Sequence, residues 1–208
     1  MKKTHTGYAL MACGALLSLS IATGAWAADA NKLVEGCAAC HGKGGASTEP
    51  DVPNIGGYSA VYLTGSLTAY KKQERACPET KYRTGDKKGT KTDMCQITKD
   101  MSPSDINQVA EYFAGQKFVR TPQKFDPELA KKGKNIHEMN CEKCHSEEGT
   151  VAGDDAGILA GQKVAYLEEQ FKFFSEGKRP ISKKMKPKLD QLDKAGIEAL
   201  INYYGSFK

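Results

Sequence analysis

The chain has 208 residues, 39% of them hydrophobic, and a formal net charge of +5. Those values exclude a polar low-complexity protein and leave room for two small domains of about 100 residues each. Lys2 and Lys3 belong to an N-terminal leader, and without them 28 basic residues face 25 acidic ones, a net +3 that is too small for a nucleic-acid binder.

The leader comes first. Lys2-Lys3 is a basic segment, Tyr8 to Ile21 is largely apolar, and Ala25-Trp26-Ala27 is a small-x-small site before Ala28. Residues 1–27 therefore read as a cleaved secretory signal, which predicts a periplasmic protein. An uncleaved membrane anchor and lipidation at Cys13 are the rival readings. The short apolar run, broken by Ser18, Ser20 and Thr23, speaks against both, and no other stretch is apolar enough to span a bilayer.

Cys37-Ala38-Ala39-Cys40-His41 follows, and Cys141-Glu142-Lys143-Cys144-His145 repeats it. Two thiols three positions apart stand about one helical turn from each other, so both can bond the vinyl groups of one porphyrin. The histidine after them then faces the iron. Two covalent haem c groups are expected, with Cys37, Cys40, Cys141 and Cys144 as thioethers and His41 and His145 as proximal ligands. Their four propionates bring the net charge to about −1. The rival reading, one zinc held by four thiolates, leaves both histidines unexplained and does not require the surrounding sequence to repeat.

That sequence does repeat. At the offset of 104 residues between Cys37 and Cys141, Gly57, Tyr62 and Leu63 fall on Gly161, Tyr166 and Leu167. Near the end of each half the offset is 91, and Ile106, Val109, Ala110 and Phe113 fall on Ile197, Leu200, Ile201 and Tyr204. Both sets have the spacing of one apolar helix face. The chain is a tandem duplication with 13 extra residues in its first half. An all-α fold of two cytochrome c domains is expected, residues 28–120 and 126–208, joined by a linker at 121–125. Helices are predicted at both haem motifs, over Ala60 to Arg75 and Val164 to Ser175, and at each domain's end. Ser102 with Asp105, and Asp126 with Pro127, are the predicted helix starts. No strand or hairpin pattern is visible.

The repeat also selects the second iron ligands. Met94 and Met185 are the methionine pair related by the 91-residue offset, each 12 residues before its terminal helix face. Met101 pairs with Leu192, a packing position, and Met139 lies too close to Cys141 to cross the porphyrin. Met94 is expected on the first iron and Met185 on the second, and a thioether ligand raises the potential. That suits electron transfer better than the rival reading as a haem enzyme, which needs an open iron.

Two further features complete the reading. Cys77 and Cys95 remain in the insertion, and in an oxidising compartment they are expected to form a disulfide closing loop 77–95, with a thiolate metal site such as copper as the alternative. Lys183, Lys184 and Lys186 flank Met185; they are either a solvated face or a basic rim that steers an acidic redox partner.

The second half resembles the di-haem cytochrome subunit of flavocytochrome c sulfide dehydrogenase. The resemblance is carried by Phe125-Asp126, Cys141-Glu142-Lys143-Cys144-His145, Ile158-Leu159-Ala160-Gly161-Gln162, Tyr166-Leu167, Arg179-Pro180, and the run Lys183 to Leu189. The first half shares the haem motif, Met94 and the Tyr112-Phe113 helix, and departs in the insertion. The soluble di-haem cytochromes of the c-four type share the duplication. The resemblance implies tandem class I cytochrome c domains and His/Met ligation. It also implies two partners: a FAD-containing flavoprotein subunit that oxidises sulfide, and a small cytochrome that accepts the electrons. The chain has no Gly-x-Gly-x-x-Gly flavin motif of its own, so it would be the electron-transfer subunit. A free shuttle between a respiratory complex and a terminal oxidase or reductase is the alternative.

Overall fold

The structure, a computed structural model, describes Met1 and residues 24–208, with side chains from Asn31 onward within the first helix. The leader expected over residues 1–27 lies outside the described residues apart from Met1 and the start of that helix.

In the first half, α1 (Gly24–His41) carries the first haem motif, α2 (Ala60–Lys71) and the short α3 (Met94–Thr98) follow, and α4 (Pro103–Ala114) closes the domain. In the second half, α5 (Pro127–Asn140), the one-turn α6 (Ser146–Gly149), α7 (Val164–Ser175), the one-turn α8 (Lys186–Leu189) and α9 (Lys194–Gly205) repeat the plan. The helix starts are set by capping side chains. Ser102 and Asp105 form a reciprocal capping box on α4, and the Asp126 carboxylate accepts the N–H groups of Glu128 and Leu129 on α5.

The terminal helices build the cores. Ile106, Val109, Ala110 and Phe113 are all buried, and so are Leu200, Ile201 and Tyr204. α5 crosses α9 at Gly133, where a Cβ would stand 2.1 Å from the Ala199 carbonyl oxygen, so only glycine permits this approach. Gly57 and Gly161 sit at φ +79° in both halves, and their N–H groups donate to the carbonyls of Phe113 and Tyr204, each at 2.8 Å. The repeat is therefore kept down to single backbone hydrogen bonds.

Three expectations are corrected. The insertion contains a two-stranded antiparallel hairpin, β1 (Thr80–Lys81) paired with β2 (Lys91–Thr92). Two-residue strands are too short for an alternating pattern to show in the sequence. α2 ends at Lys71 rather than Arg75, because Gln73 adopts a left-handed φ of +57°. That turn sends Arg75 to the other domain. The second haem motif is not helical: α5 stops at Asn140, and Cys141 to His145 form successive turns. The His137 carbonyl accepts from both Cys141 and Glu142, and the Glu142 carboxylate accepts the N–H of Glu147 at 2.9 Å, folding the chain back on itself.

Candidate haem sites and the interface between them

At the first site, α1 delivers Cys37, Cys40 and His41 into one cavity whose lining also includes Met94, Met101 and Arg75. Leu63, Val109 and Phe113 supply its apolar walls. The His41 ring is buried, and its Nδ1–H donates to the Pro53 carbonyl at 3.0 Å. A carbonyl only accepts, so this bond fixes the tautomer and leaves the Nε2 lone pair free for a metal. Burial, with a smaller contribution from the Lys163 cation, also lowers the pKa of His41 and keeps the ring neutral. Arg75, 5% exposed, lines the same cavity with an Nε–H that has no hydrogen-bond partner. An apolar slot with two thiols, an imidazole lone pair and an unpaired guanidinium N–H fits a porphyrin with its carboxylates. Met94 opens α3 at the edge of this slot, while Met101 belongs to the buried core.

The zinc reading fails on the same geometry. Burial pushes the Cys37 thiol up to about 11, opposite to what a thiolate ligand needs. Among the described residues the four motif cysteines form no common cluster. The one potential metal group among the described residues is Cys77, Asp93 and Cys95, and its two sulfurs are bonded to each other.

At the second site Cys141 and His145 are half-buried and Cys144 is exposed. Burial lowers the His145 pKa. The Gly157 carbonyl, in the repeat position of Pro53, opposes this, yet it lies outside hydrogen-bonding geometry, so Nδ1 is left without a partner. Met185 stands half-buried just before α8, its N–H on Ser182, and Lys188 of that turn acts on the Cys141 thiol. α8 therefore borders the second site.

The Cys77–Cys95 disulfide, with Cα atoms 5.8 Å apart, closes the base of the hairpin. The hairpin in turn rests on the first haem motif: the Arg83 and Thr84 N–H groups both donate to the Ala39 carbonyl, at 3.1 and 3.0 Å. Met94 is tied between this bridge and the N-cap Asp93.

The sequence reading missed the interface. Arg75 and Arg179 occupy equivalent repeat positions, as do Tyr62 and Tyr166, and the pairs cross. Arg75 Nη2 donates to Tyr166 Oη at 2.9 Å, and Arg179 Nη2 donates to Tyr62 Oη at 3.0 Å. Both guanidinium groups also reach Gln170 Oε1, at 2.7 and 2.9 Å. The same crossing recurs one layer away, where Tyr58 Oη donates to the Ile158 carbonyl at 3.0 Å and Gln162 Nε2 donates to the Asn54 carbonyl at 2.8 Å. Lys163, 2% exposed, extends from the second domain to the Ser47 and Glu49 carbonyls of the first. The signal that could have revealed this was present: arginine, a residue rarely buried, recurs at the repeat offset of 104.

Comparisons with known proteins agree with this geometry. Residues 27–117 match the family model described as cytochrome c, and residues 128–203 match that of cytochrome c oxidase, cbb3-type, subunit III. Cytochrome c-554(548) of Halomonas halodenitrificans is 34% identical over 38% of this chain and 83% of its own length. Cytochrome c-552 of Acidithiobacillus ferridurans is 31% identical over 69% of the chain, which spans 61% of that relative's length. A protein of Stutzerimonas stutzeri named thiosulfate dehydrogenase electron acceptor is 36% identical over 50% of the chain and 41% of its own length. Among solved structures, reduced cytochrome c4 from Pseudomonas stutzeri superposes with a TM-score of 0.68 at 28% identity, covering 88% of this chain and 98% of that one. With its two haem c domains packed through a reciprocal interface, the chain belongs to the cytochrome c family, as a di-haem electron-transfer protein of the cytochrome c4 type.

Proposed function

We propose that this chain is the periplasmic cytochrome subunit of a flavocytochrome c sulfide dehydrogenase. It takes electrons from a FAD-containing sulfide-oxidising subunit and passes them to a small cytochrome. The observation that carries the reading is the pairing of two haem-binding domains across a crossed set of arginines and tyrosines, an arrangement suited to an electron relay. The motifs of the second half support the sulfide-linked donor. Similarity to a protein named as the electron acceptor of a thiosulfate dehydrogenase supports a sulfur-oxidising enzyme as the donor class. Haem would supply the redox chemistry; the residues that would hold it are the imidazoles of His41 and His145, the thioethers of Met94 and Met185 and the four cysteines Cys37, Cys40, Cys141 and Cys144. With His41 and Met94 on one iron and His145 and Met185 on the other, carbon monoxide added to the reduced protein should bind neither haem readily.

A free-standing shuttle is the second reading, favoured by the extent of the match to cytochrome c4 alone. One purification from the native source separates the two. Flavin absorbance co-eluting with the haem bands, with haem reduction on adding sulfide, is expected; elution as a flavin-free monomer or dimer overturns the subunit reading. Among the described residues no helix is long and apolar enough to cross a membrane. In either reading Lys183 and Lys184, exposed and without a salt bridge among the described residues, form part of the docking rim. Reversing their charge should flatten the ionic-strength dependence of electron transfer.

A further inference from the structure

The loop over residues 47–54 carries the Pro53 carbonyl that accepts the His41 Nδ1–H, and two adjacent residues of the second domain grip this loop at both ends. At one end Lys163 Nζ donates to the Ser47 carbonyl at 2.7 Å and to that of Glu49. Ser47 Oγ in turn donates to the Cys40 carbonyl at 3.1 Å, which ties this end to the haem motif. At the other end Gln162 pairs with Asn54: its Oε1 accepts the Asn54 N–H at 3.1 Å, and its Nε2 donates to the Asn54 carbonyl at 2.8 Å. The Asn54 N–H and the Pro53 C=O belong to one peptide group. The line of hydrogen bonds is therefore continuous, from a side-chain amide of the second domain through a single peptide to the ring of His41. Gln162 is 0% exposed, Asn54 1% and His41 8%, so the line lies inside the protein.

The Gln162 amide has no freedom to turn. Its Oε1 also accepts the Lys163 N–H at 3.0 Å, and its Nε2 also donates to Tyr58 Oη at 2.8 Å. Both lone pairs and both N–H bonds are used, and a flipped amide would set its N–H groups against two other donors. The second domain lacks such a line. Gly157 and Ile158 stand at the repeat positions of Pro53 and Asn54, and Tyr58 stands at that of Gln162. The Tyr58 hydroxyl donates to the Ile158 carbonyl, and His145 Nδ1 has no hydrogen-bond partner among the described residues.

We propose that Gln162 of the second domain is a positioning residue for His41, the proximal ligand of the first haem, and that through the Pro53–Asn54 peptide it biases the first haem toward its oxidised state. The physical step is polarisation. A peptide whose N–H is engaged carries more negative charge on its oxygen, so the Pro53 carbonyl accepts the His41 Nδ1–H more strongly. A stronger acceptor at Nδ1 makes the Nε2 lone pair more basic, and a more basic imidazole favours ferric over ferrous iron. No proton is transferred, and the His41 proton stays on Nδ1. His145, with nothing on its Nδ1, receives no such bias. A contact between the domains thus makes the two haems unequal, whichever donor reduces them.

The test is a redox titration of the full-length holoprotein carrying Gln162→Met, which keeps the length of the side chain, removes the acceptor, changes no charge and leaves Lys163 in place. The NMR signals of the haem methyls report each haem separately. The equilibrium constant for reducing the first haem relative to the second should rise about two- to tenfold over the native protein, as the His41 hydrogen bond weakens in a buried setting. Thr121→Val is the control: it takes one hydrogen bond from the Asn54 side chain, leaves the Asn54 N–H on Gln162, and should leave the ratio unchanged. An unchanged or lowered ratio in Gln162→Met, or an equal rise in the control, overturns the proposal. Should Gln162→Met not fold, Gln162→Asn serves instead, since its amide is one methylene short of the Asn54 N–H. The ratio should again rise, and an unmoved ratio overturns the assignment.

Discussion

Arg75 of the first domain hydrogen-bonds Tyr166 of the second at 2.9 Å, and 104 residues further along Arg179 returns the same bond to Tyr62 at 3.0 Å. A duplicated sequence has packed against itself as a symmetric dimer would, with the same patch on both sides of the contact. Arg75 is buried and Arg179 half-buried. The tyrosines around Arg75 raise its pKa despite desolvation, and Arg179 and Arg75 together lower that of Tyr62 although burial opposes them.

Replacing Arg75 by Met should therefore cost about 1–3 kcal/mol, since the Tyr166 hydroxyl and the Gln170 carbonyl both lose a buried donor. Urea unfolding of Arg75→Met, Tyr166→Phe and the double variant checks this. The double variant should be more stable than the sum of the singles predicts, and strict additivity would show that the two residues act independently.

Gln73 holds a left-handed conformation at φ +57°, and its repeat counterpart Gly177 does the same at φ +66° without a Cβ. Gln73→Gly should stabilise the protein by about 1 kcal/mol, because the steric penalty of the left-handed region disappears. A raised thermal midpoint with an unchanged haem spectrum is the expected result; a lowered midpoint would mean that the Gln73 side chain contributes more than its backbone costs.

The Cys77–Cys95 bridge spans 18 residues and should contribute about 3 kcal/mol in the chain-entropy model. Cys77→Ser with Cys95→Ser should lower the thermal midpoint by that equivalent and expose the hairpin to proteases. Because Met94 adjoins Cys95, the variant should also bind carbon monoxide faster at the first haem than at the second.

Asp105 and Asp154 are both held below the ordinary aspartate value, Asp105 by the backbone and hydroxyl of Ser102, Asp154 by the hydroxyl and backbone of Ser146. Folded-state values below the unfolded ones mean that each contributes stability above the ordinary value of about 3.9, lost as the pH falls through the depressed folded values. The urea midpoint should decline between about pH 4 and pH 2, and Asp105→Asn should make that decline shallower.

Much of this was legible from periodicity. The offset of 104 aligned the haem motifs and the Gly57 and Gly161 turns, and the capping residues Ser102 and Asp126 marked helix starts because their side chains bond the first free N–H groups. Other features carry no local mark. Gln73 turns a helix as glycine would, without glycine's signature. The hairpin at 80–92 is held by a disulfide and by the Ala39 carbonyl rather than by an alternating strand. Cys141 leaves the helix because Glu142, a residue with ordinary helical propensity, spends its carboxylate on His137 and the Glu147 backbone. In each case a tertiary contact overrides a local preference.

The linker around Thr121 is itself bonded into the crossing. Asn54 Nδ2 holds the Val119 carbonyl at 2.6 Å and Thr121 Oγ1 at 3.0 Å, while Gln123 clamps the chain at the Gln162 carbonyl and the Val164 N–H. A segment fastened at both ends is a strut and not a hinge. The spacing between the two haem-binding motifs is then set by the fold, and two haems held there would keep one separation whatever docks on either end.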